Sequence, residues 1–174
     1  MVNRHTAILG LGSNLGQSAQ ILQDAWKALR NNSEVEPWRL SPPYRSKPVG
    51  MESCHWFVNA VGIVRTTLSP VALLHGLQAI ETKFGRQRDP ALDGYQDRTL
   101  DLDLLLYDDI VLNTPELVLP HPRMEQRRFV LEPLLDVAEG IVLSPFTPPL
   151  RAWAENCLSM LKDQMLERCF WGDL

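Results

Sequence analysis

Cysteine is scarce in this sequence of 174 residues, and the few cysteines stand far apart along the chain. They are Cys54, Cys157 and Cys169, and there is no CxxC motif. An odd number of widely spaced cysteines argues against a disulfide framework or a zinc ribbon and fits a reducing compartment. The sequence also lacks a secretory leader and any run of about 18 apolar residues, so we expect a cytoplasmic protein without a membrane span.

Positive charge is not in excess either. Lys and Arg together number 17 and Asp and Glu number 21, which gives a net charge of −4. Such a chain is a poor candidate for binding nucleic acid, which relies on many phosphate-neutralising cations, although local cationic sites remain open. The hydrophobic fraction of 45% is ordinary for a globular protein. We therefore predict a single domain, residues 1–174, without a nucleic-acid partner.

Hydrophobic periodicity and turn residues predict four strands, at residues 5–11, 35–40, 57–64 and 99–107. A first helix is predicted at 18–29. A second helix begins at Ser69 and Pro70, because serine is a favoured N-cap and proline has its φ angle set for the first turn. Gly85 stands at the position just beyond the end of this helix, where glycine is common.

The order β-α-β-β-α-β predicts an α+β fold with a ferredoxin-like core, in which helices pack on an antiparallel sheet. Residues 108–109 are expected to turn the chain into a short strand at 110–112, which would form a hairpin with the fourth strand. Two extra C-terminal helices are predicted at 124–137 and 149–168. Residues 44–54 and 86–97 are interpreted as loops, and a loop as long as the second is uncommon unless it is functional or disordered.

Two carboxylates on the fourth predicted strand are the sharpest local feature. Asp101 and Asp103 are two positions apart, so they point to the same face, while Leu100, Leu102 and Leu104 point to the other. The backbone separation of about 7 Å lets a hard cation lie between the carboxylates, as Mg²⁺ does when it also binds substrate phosphates. The alternative is a solvated polar face of a half-exposed strand.

Arginines surround this carboxylate pair in the sequence. Three precede it and three follow it, namely Arg86, Arg88, Arg98, Arg123, Arg127 and Arg128. The planar guanidinium group matches phosphate oxygens, so cations beside two carboxylates favour phosphoryl transfer from a metal-bound nucleotide. Surface Arg–Asp pairs of little energetic value are the alternative. His121 lies between two prolines and is interpreted either as a proton-transfer group or as a structural histidine.

Two aromatic residues and an amide suggest a site for a flat ring. Phe57 and Asn59 share one face of the third predicted strand, and Phe129 follows the second group of arginines. Two aromatic faces and an amide could hold a planar heterocycle, although core packing would explain each phenylalanine alone. The glycine-rich segment 10–16 does not match a dinucleotide or Walker motif, and a strand-to-helix turn with a functional Asn14 is the simpler interpretation.

Taken together, these motifs identify a resemblance. The segments GSNLG (12–16), YRSKPVG (44–50), FVN (57–59), GRQR (85–88), RTLDLD (98–103) and LPHPR (119–123) occur in this order. The chain resembles the 6-hydroxymethyl-7,8-dihydropterin pyrophosphokinase family of folate biosynthesis over residues 7–138. That family's fold agrees with the predicted strand and helix order.

The resemblance implies an ATP-dependent diphosphotransferase that moves the β,γ-pyrophosphoryl group of ATP to the pterin hydroxymethyl oxygen and releases AMP. It implies that Asp101 and Asp103 hold two Mg²⁺ ions and that Arg86 and Arg98 stabilise the transferring phosphates. The residues implied to line the ATP site are Gln78, Glu81, Arg88, His121 and Arg127.

The resemblance also implies a pterin site. The ring would stack between Phe57 and Phe129, and Asn59 would bind its hydrogen-bonding edge. The backbone near Ser46 and Val49 would complete that edge, with Asn14 in the same pocket. Loops 47–56 and 86–97 would close over the substrates, and we expect the enzyme to act as a monomer.

The chain departs from the family pattern in the second of these loops. Tyr95 stands where members often carry Trp, and Gln96 and Asp97 replace the usual Gly-Pro before Arg98. Two other classes remain open from the residues alone: an RNA-binding module on the same fold, and a non-catalytic domain that senses a small ligand. The first needs an aromatic pattern that residues 55–59 do not match.

Overall fold

The computed structural model describes residues 4–86, 96–143, 149–161 and 164–174. A six-stranded sheet runs through this part of the chain, and all of its strand pairs are antiparallel. Its strands are β1 (His5–Ser13), β2 (Val35–Leu40), β3 (Tyr44–Ser46), β4 (Phe57–Thr66), β5 (Asp101–Tyr107) and β8 (Leu166–Arg168). A separate two-stranded sheet joins β6 (Leu112–Asn113) to β7 (Val118–Leu119).

The strand order is β5-β1-β4-β3-β8, and β2 pairs with β4 on the same side as β3. β2 takes the second half of β4 and β3 takes the first half. β1 therefore lies between β4 and β5, with both neighbours along most of its length. This arrangement brings the first residues of β4 and β5 to the same end of the sheet, beside the last residues of β1.

Helices cover both faces of the sheet in the described residues. They are α1 (Ser18–Ala28), α2 (Pro70–Lys83), α3 (Arg128–Val137) and α4 (Leu150–Met160), with 3-10 turns at Leu29–Asn31 and Met124–Gln126. Leu9 of β1 packs in one buried apolar cluster with Leu22 of α1 and Leu77 of α2. Ile8, the preceding residue, packs in a second cluster with Leu134 of α3 and residues of α4. None of these helices is long and apolar enough to cross a membrane.

The ends of α2 follow the signals in its sequence. Ser69 Oγ accepts a hydrogen bond from Ala72 N at 3.3 Å, and Pro70 is the first helical residue, as predicted. Gly85 follows the helix with a positive φ of 77°, a conformation that costs glycine little. This turn lets Arg86 N donate to Glu81 O at 3.1 Å, and it directs the Arg86 side chain back toward β5.

Several predicted boundaries are wrong. β1 continues to Ser13 rather than ending at residue 11, because Gly12 and Ser13 still pair with β4. Residues 44–46 form β3 rather than a loop. The helix predicted at 149–168 ends at Met160, and the chain beyond it contributes β8. The segment 124–137 is a 3-10 turn followed by α3, and the short strand after residue 109 pairs with β7 instead of β5.

Candidate active site

The floor of the candidate site is a part of β1 that carries no side chains on one face of the sheet. Gly12 lies opposite Asn59 on β4 and opposite Asp101 on β5, and Gly10 lies opposite Asp103. Residues directly opposite each other in an antiparallel pair share a face, so the glycines leave a space between the carboxylates and the amide. A Cβ atom on Gly12 would lie 3.4 Å from Asn59 Oδ1 and would enter that space.

A pocket lies over this floor. It encloses an empty volume of about 580 Å³, part of which is open to solvent. Nine of the residues singled out from the sequence line it: Ser46, Val49, Phe57, Asn59, Arg98, Asp101, Asp103, Arg127 and Phe129. These residues come from β3, β4, β5, the start of α3 and the segments after β3 and before β5 and α3, so the fold gathers parts of the chain that are distant in sequence.

Asp101 is held between two arginines. Arg98 Nη2 lies 2.9 Å from Asp101 Oδ2, and Arg86 Nη1 donates to Asp101 Oδ1. Arg86 Nη1 also donates to Glu81 Oε1, which in turn accepts a hydrogen bond from Leu102 N at 2.7 Å. Glu81 is a buried carboxylate on α2, so its contacts fix the helix to the start of β5. The charge of Asp101 is therefore well compensated by the protein.

Asp103 is less well compensated. Its side chain keeps 36% of its surface exposed, and Arg127 Nη1 lies 3.4 Å from its Oδ2 atom. The surrounding protein desolvates this carboxyl group and raises its pKa, and the like charge of Asp101 adds to the increase. Desolvation lowers the pKa of His121, while the charge of Asp103 opposes that shift. A further cation would stabilise the ionised form of Asp103.

Each aromatic residue of the pocket is linked to one carboxylate through an arginine. The Arg98 guanidinium lies 5.4 Å from the centre of the Phe57 ring and pairs with Asp101. The Arg127 guanidinium lies 5.5 Å from the centre of the Phe129 ring and pairs with Asp103. Cations at such distances from aromatic faces are attracted by the ring quadrupole. The pocket thus has an aromatic end and a charged end, and two arginines join them.

A buried amide lies at the aromatic end. Asn59 Nδ2 donates to Ser46 Oγ at 3.0 Å, and both side chains are buried. Val49, which follows β3, is 40% exposed and lines the same pocket. A flat heterocycle with hydrogen-bonding groups on its edge suits this combination of rings and amide.

Asn14 is buried beside the pocket without lining it. Its Nδ2 atom donates to Asp97 Oδ1 at 2.6 Å, and its Oδ1 atom accepts from Arg98 N at 2.8 Å. Asp97 Oδ2 also lies 3.1 Å from His55 Nδ1. Although desolvation opposes it, hydrogen bonds from Ser53, Asn14 and His55 lower the pKa of Asp97. Asn14 therefore positions the residues that lead into β5, including Arg98.

The remaining predicted residues lie around the pocket or outside the described chain. Glu81 and Arg86 stand behind Asp101, as described above, and Gln78 is exposed on α2. His121 N donates to Leu105 O at 2.9 Å, which anchors the histidine beside β5. Arg88 and Tyr95 lie in residues 87–95, outside the part that the structure describes.

Sequence reasoning missed the glycine floor. Gly10 and Gly12 were assigned to the end of a strand and a turn, although a glycine inside a strand often marks a close approach of a ligand or another backbone. Their alternation at positions 10 and 12 is the signal that could have found them. It also missed apolar pocket residues on the strands and in the first turn of α3, namely Leu11, Ala60 and Val130.

Carboxylates, guanidinium groups and aromatic rings in one pocket on an α+β scaffold fit a class of proteins, the transferases that move phosphoryl groups to small heterocyclic substrates. The comparisons agree. Residues 8–139 match the family described as 7,8-dihydro-6-hydroxymethylpterin-pyrophosphokinase.

Two bacterial relatives carry the name 2-amino-4-hydroxy-6-hydroxymethyldihydropteridine pyrophosphokinase. The Haemophilus influenzae protein is 41% identical over 138 residues, which cover 79% of this chain and 84% of that protein. The Pseudomonas aeruginosa protein is 42% identical over 135 residues, which cover 78% and 82%. The chain therefore belongs to the 7,8-dihydro-6-hydroxymethylpterin-pyrophosphokinase family.

Solved structures show the same fold. The crystal structure of Plasmodium falciparum HPPK-DHPS wild type with pteroate matches with a TM-score of 0.66 at 14% sequence identity. The match covers 90% of this chain but only 43% of that longer chain. At this identity the likeness concerns the fold alone.

Proposed function

We propose that the pocket is the active site in which this pyrophosphokinase transfers the β,γ-pyrophosphoryl group of ATP to the hydroxymethyl oxygen of 6-hydroxymethyl-7,8-dihydropterin and releases AMP. The observation that carries the proposal is the pair of links Phe57–Arg98–Asp101 and Phe129–Arg127–Asp103. In each link an arginine lies between an aromatic ring and a carboxylate, which supports a ring site beside a site for phosphate and cation. A flat pterin with a phosphate-accepting arm needs both sites at once.

The donor set fits magnesium. Asp101 and Asp103 offer hard oxygen ligands from one face of β5, and desolvation together with the like charge of Asp101 raises the pKa of Asp103. We propose that these two carboxylates hold two Mg²⁺ ions. When bound, Mg²⁺ neutralises phosphate charge and lowers the pKa of a coordinated hydroxyl group. In the same proposal, Arg86 and Arg98 bind and orient the transferring phosphates, because both guanidinium groups already converge on Asp101.

The ATP site is proposed to include Arg127 and His121, which flank Asp103 on the side of α3. Glu81 supports this site indirectly, because it accepts hydrogen bonds from the Arg86 side chain and from Leu102 N. Gln78 is one turn earlier on α2 and exposed, so it could reach a nucleotide over the helix. Arg88 keeps its proposed role on the resemblance alone.

The pterin is proposed to stack between Phe57 and Phe129, with Asn59 binding its edge. Ser46 orients the Asn59 amide through the 3.0 Å hydrogen bond, and Val49 shields the ring from solvent. Asn14 acts from outside the pocket, since its hydrogen bonds with Asp97 and Arg98 position the residues just before β5.

We also propose a ferredoxin-like core. It is supported by the strand order β5-β1-β4-β2 and by the packing of α1 and α2 on one face of these strands. The same reasoning favours one domain over residues 1–174, with α3 and α4 as additions on the opposite face. We also propose that the protein is a cytoplasmic monomer that binds neither nucleic acid nor membrane, and the net charge of −4 supports the absence of a nucleic-acid partner.

The test is an assay of nucleotide products. The protein is mixed with ATP, Mg²⁺ and 6-hydroxymethyl-7,8-dihydropterin, and the nucleotides are separated by chromatography, with a control that omits the pterin. We expect AMP only when the pterin is present. ADP would indicate ordinary kinase chemistry, and no nucleotide product would indicate a sensing domain. A salt-dependent RNA gel shift without AMP formation would favour the RNA-binding alternative.

The magnesium proposal has its own measurement. Binding of a non-hydrolysable ATP analogue is titrated with and without Mg²⁺ in the parent and in Asp103→Asn. We expect Mg²⁺ to tighten binding to the parent and to tighten binding to the variant much less. An equal effect of Mg²⁺ on both proteins would contradict the assignment of Asp103 as a ligand.

A further inference from the structure

The segment 164–171, called here the C-terminal clasp, lies beyond the family match, which ends at residue 139. It returns to the central sheet after α4 and contacts two parts of the pocket wall. One end reaches the start of α3, and the other pairs with β3. Because these two elements both supply pocket residues, the clasp is placed to set the distance between them.

The first contact is a side-chain cap on α3. Gln164 Oε1 accepts from Arg128 N at 2.8 Å, and Gln164 Nε2 donates to Gln126 O at 2.8 Å. The residue that precedes the helix, Arg127, makes no side-chain cap of its own. The first N–H groups of a helix need a partner, and Gln164 provides one. Its amide thereby fixes the backbone between Arg127 and Phe129, which both line the pocket.

The second contact is a strand pairing. β8 pairs with β3 along its whole length, and Leu166 lies opposite Ser46. β3 has only three residues, so β4 and β8 together hold it on both sides. Ser46 is the residue whose hydroxyl accepts the hydrogen bond from Asn59. The position of the buried amide in the pocket therefore depends on a strand that the clasp supports.

A third set of contacts joins the clasp and β3 to α3 through one carboxylate. Tyr44 of β3 donates its hydroxyl to Asp136 Oδ2 at 2.8 Å, and Arg168 Nη2 lies 3.3 Å from Asp136 Oδ1. Asp136 belongs to α3. β3, β8 and α3 are thus connected through one carboxylate, at the end of α3 that is distant from Gln164.

We infer that Gln164 is a positioning residue for substrate binding, which acts by capping α3 and so fixing the positions of Arg127 and Phe129 in the pocket. The inference rests on the proposed function, because it needs those two residues to contact substrates. It goes beyond that function in assigning a role to a segment outside the family match.

The test compares two variants that each remove hydrogen bonds from the clasp. Gln164→Met keeps the length of the side chain and loses both bonds of the cap. Trp171→Phe keeps an aromatic ring and loses the bond from Trp171 Nε1 to Ser41 O, which is 3.1 Å long and does not involve a pocket residue. Both variants are assayed for KM, kcat and thermal unfolding, and pterin binding is measured by fluorescence titration.

We expect Gln164→Met to raise the KM and the pterin Kd about fivefold, in line with the loss of a helix cap, and to change kcat less. Trp171→Phe should leave both constants within twofold of the parent, even if its melting temperature falls by a similar amount. A purely structural role for the clasp would lower both melting temperatures and leave KM unchanged, and that result would overturn the inference.

Two further outcomes separate this inference from the proposed function. If the parent forms AMP and Gln164→Met has the parent's KM and Kd, the inference fails and the proposed function stands. If the parent forms no AMP and binds no pterin, the proposed function fails, and the inference fails with it.

Discussion

The two faces of strands β1 and β5 differ sharply at the end of the sheet that holds the pocket. On the face that α1 and α2 cover, Leu9, Leu11 and Leu102 are at most 3% exposed and pack in one apolar cluster. On the other face, the alternate positions hold glycines on β1 and carboxylates on β5. Successive residues of a strand point to opposite faces, so one short stretch serves as core on one side and site on the other.

Residues that stabilise the core and residues that form the candidate site therefore alternate along the same strands. The leucines bury apolar area that stabilises the fold, while the glycines and aspartates bury charge and leave space, both of which oppose stability. The same face becomes apolar again farther along β5, where Leu105 joins the cluster under α3 and α4. The costly arrangement is therefore confined to the pocket end.

The largest effect is expected on the site face. Asp101→Asn should reduce turnover on the order of 10³-fold or more, because this carboxylate organises Arg86, Arg98 and a proposed metal beside the transferring phosphates. The variant should still fold, although removing one partner of a mostly buried ion-pair cluster lowers its melting temperature. The assay is AMP formation at saturating substrates, with Asp109→Asn, an exposed turn residue, as the matched control. Activity within tenfold of the parent would remove Asp101 from the metal site.

The core face should respond in the opposite way. Leu102→Ala is expected to lower the free energy of unfolding by about 2–5 kcal/mol, because it leaves a cavity in a closely packed cluster. The kcat per folded molecule should stay near that of the parent. Denaturant titration and active-site normalised assays measure the two quantities, with Val111→Ala, 70% exposed in the parent, as the control. A large loss of kcat with unchanged stability would contradict the separation of the faces.

A side chain added to the floor of the pocket should weaken substrate binding. Gly12→Ala places a methyl group 3.4 Å from Asn59 Oδ1 and should weaken pterin binding about tenfold, the effect of roughly 1.4 kcal/mol. Gly76→Ala in α2 is the matched control, because a Cβ there meets nothing within 4 Å and alanine favours a helix. Pterin titration should distinguish the two. Equal affinities in both variants would mean that the ligand does not approach β1.

The smallest effect concerns a tyrosine of the core at the far end of β5. Burial, with a contribution from Asp108, raises the pKa of Tyr107 to about 12, and its hydroxyl donates to Leu68 O. A folded pKa above the unfolded value means that this contribution to stability is full below about pH 10 and is lost as pH rises through about 12.

Tyr107→Phe should therefore cost about 1 kcal/mol at neutral pH through the lost hydrogen bond. The difference in melting temperature between parent and variant should shrink as the pH rises from 9 to 11.5. Thermal unfolding at several pH values measures it, and a difference that stays constant over this range would contradict the raised pKa. Activity at neutral pH should be unaffected, since the residue lies away from the pocket.

Much of this arrangement is readable from local patterns. The alternation in LDLDL assigned Asp101 and Asp103 to one face of a strand, and Ser69, Pro70 and Gly85 marked the ends of α2. These features depend on neighbours within a few residues. The family motifs then brought in residues such as Ser46 and Val49, which no local pattern connects.

Other features depend on contacts between distant residues. β3 and β8 are three residues long, too short for a periodic signal, and each exists as a strand because of its pairing. The helix predicted through residue 168 is wrong for this reason. Gly12 resembles a turn residue in the sequence because its role depends on its neighbours across the sheet, Asn59 and Asp101. The contacts of Asn14 with Asp97 and Arg98 likewise depend on the pairing of β1 with β5.

The pairing of β3 with β8 has a consequence for how the chain folds. It joins positions 44–46 to positions 166–168, about 120 residues apart, so a large loop must close before either strand gains a partner there. Contacts of such high sequence separation form slowly compared with helices and hairpins. We expect the sheet of β1, β4 and β5 to assemble first, and the wall that holds Ser46 to be completed late in folding. The pocket would then be among the last parts of the protein to mature, and among the first to open again.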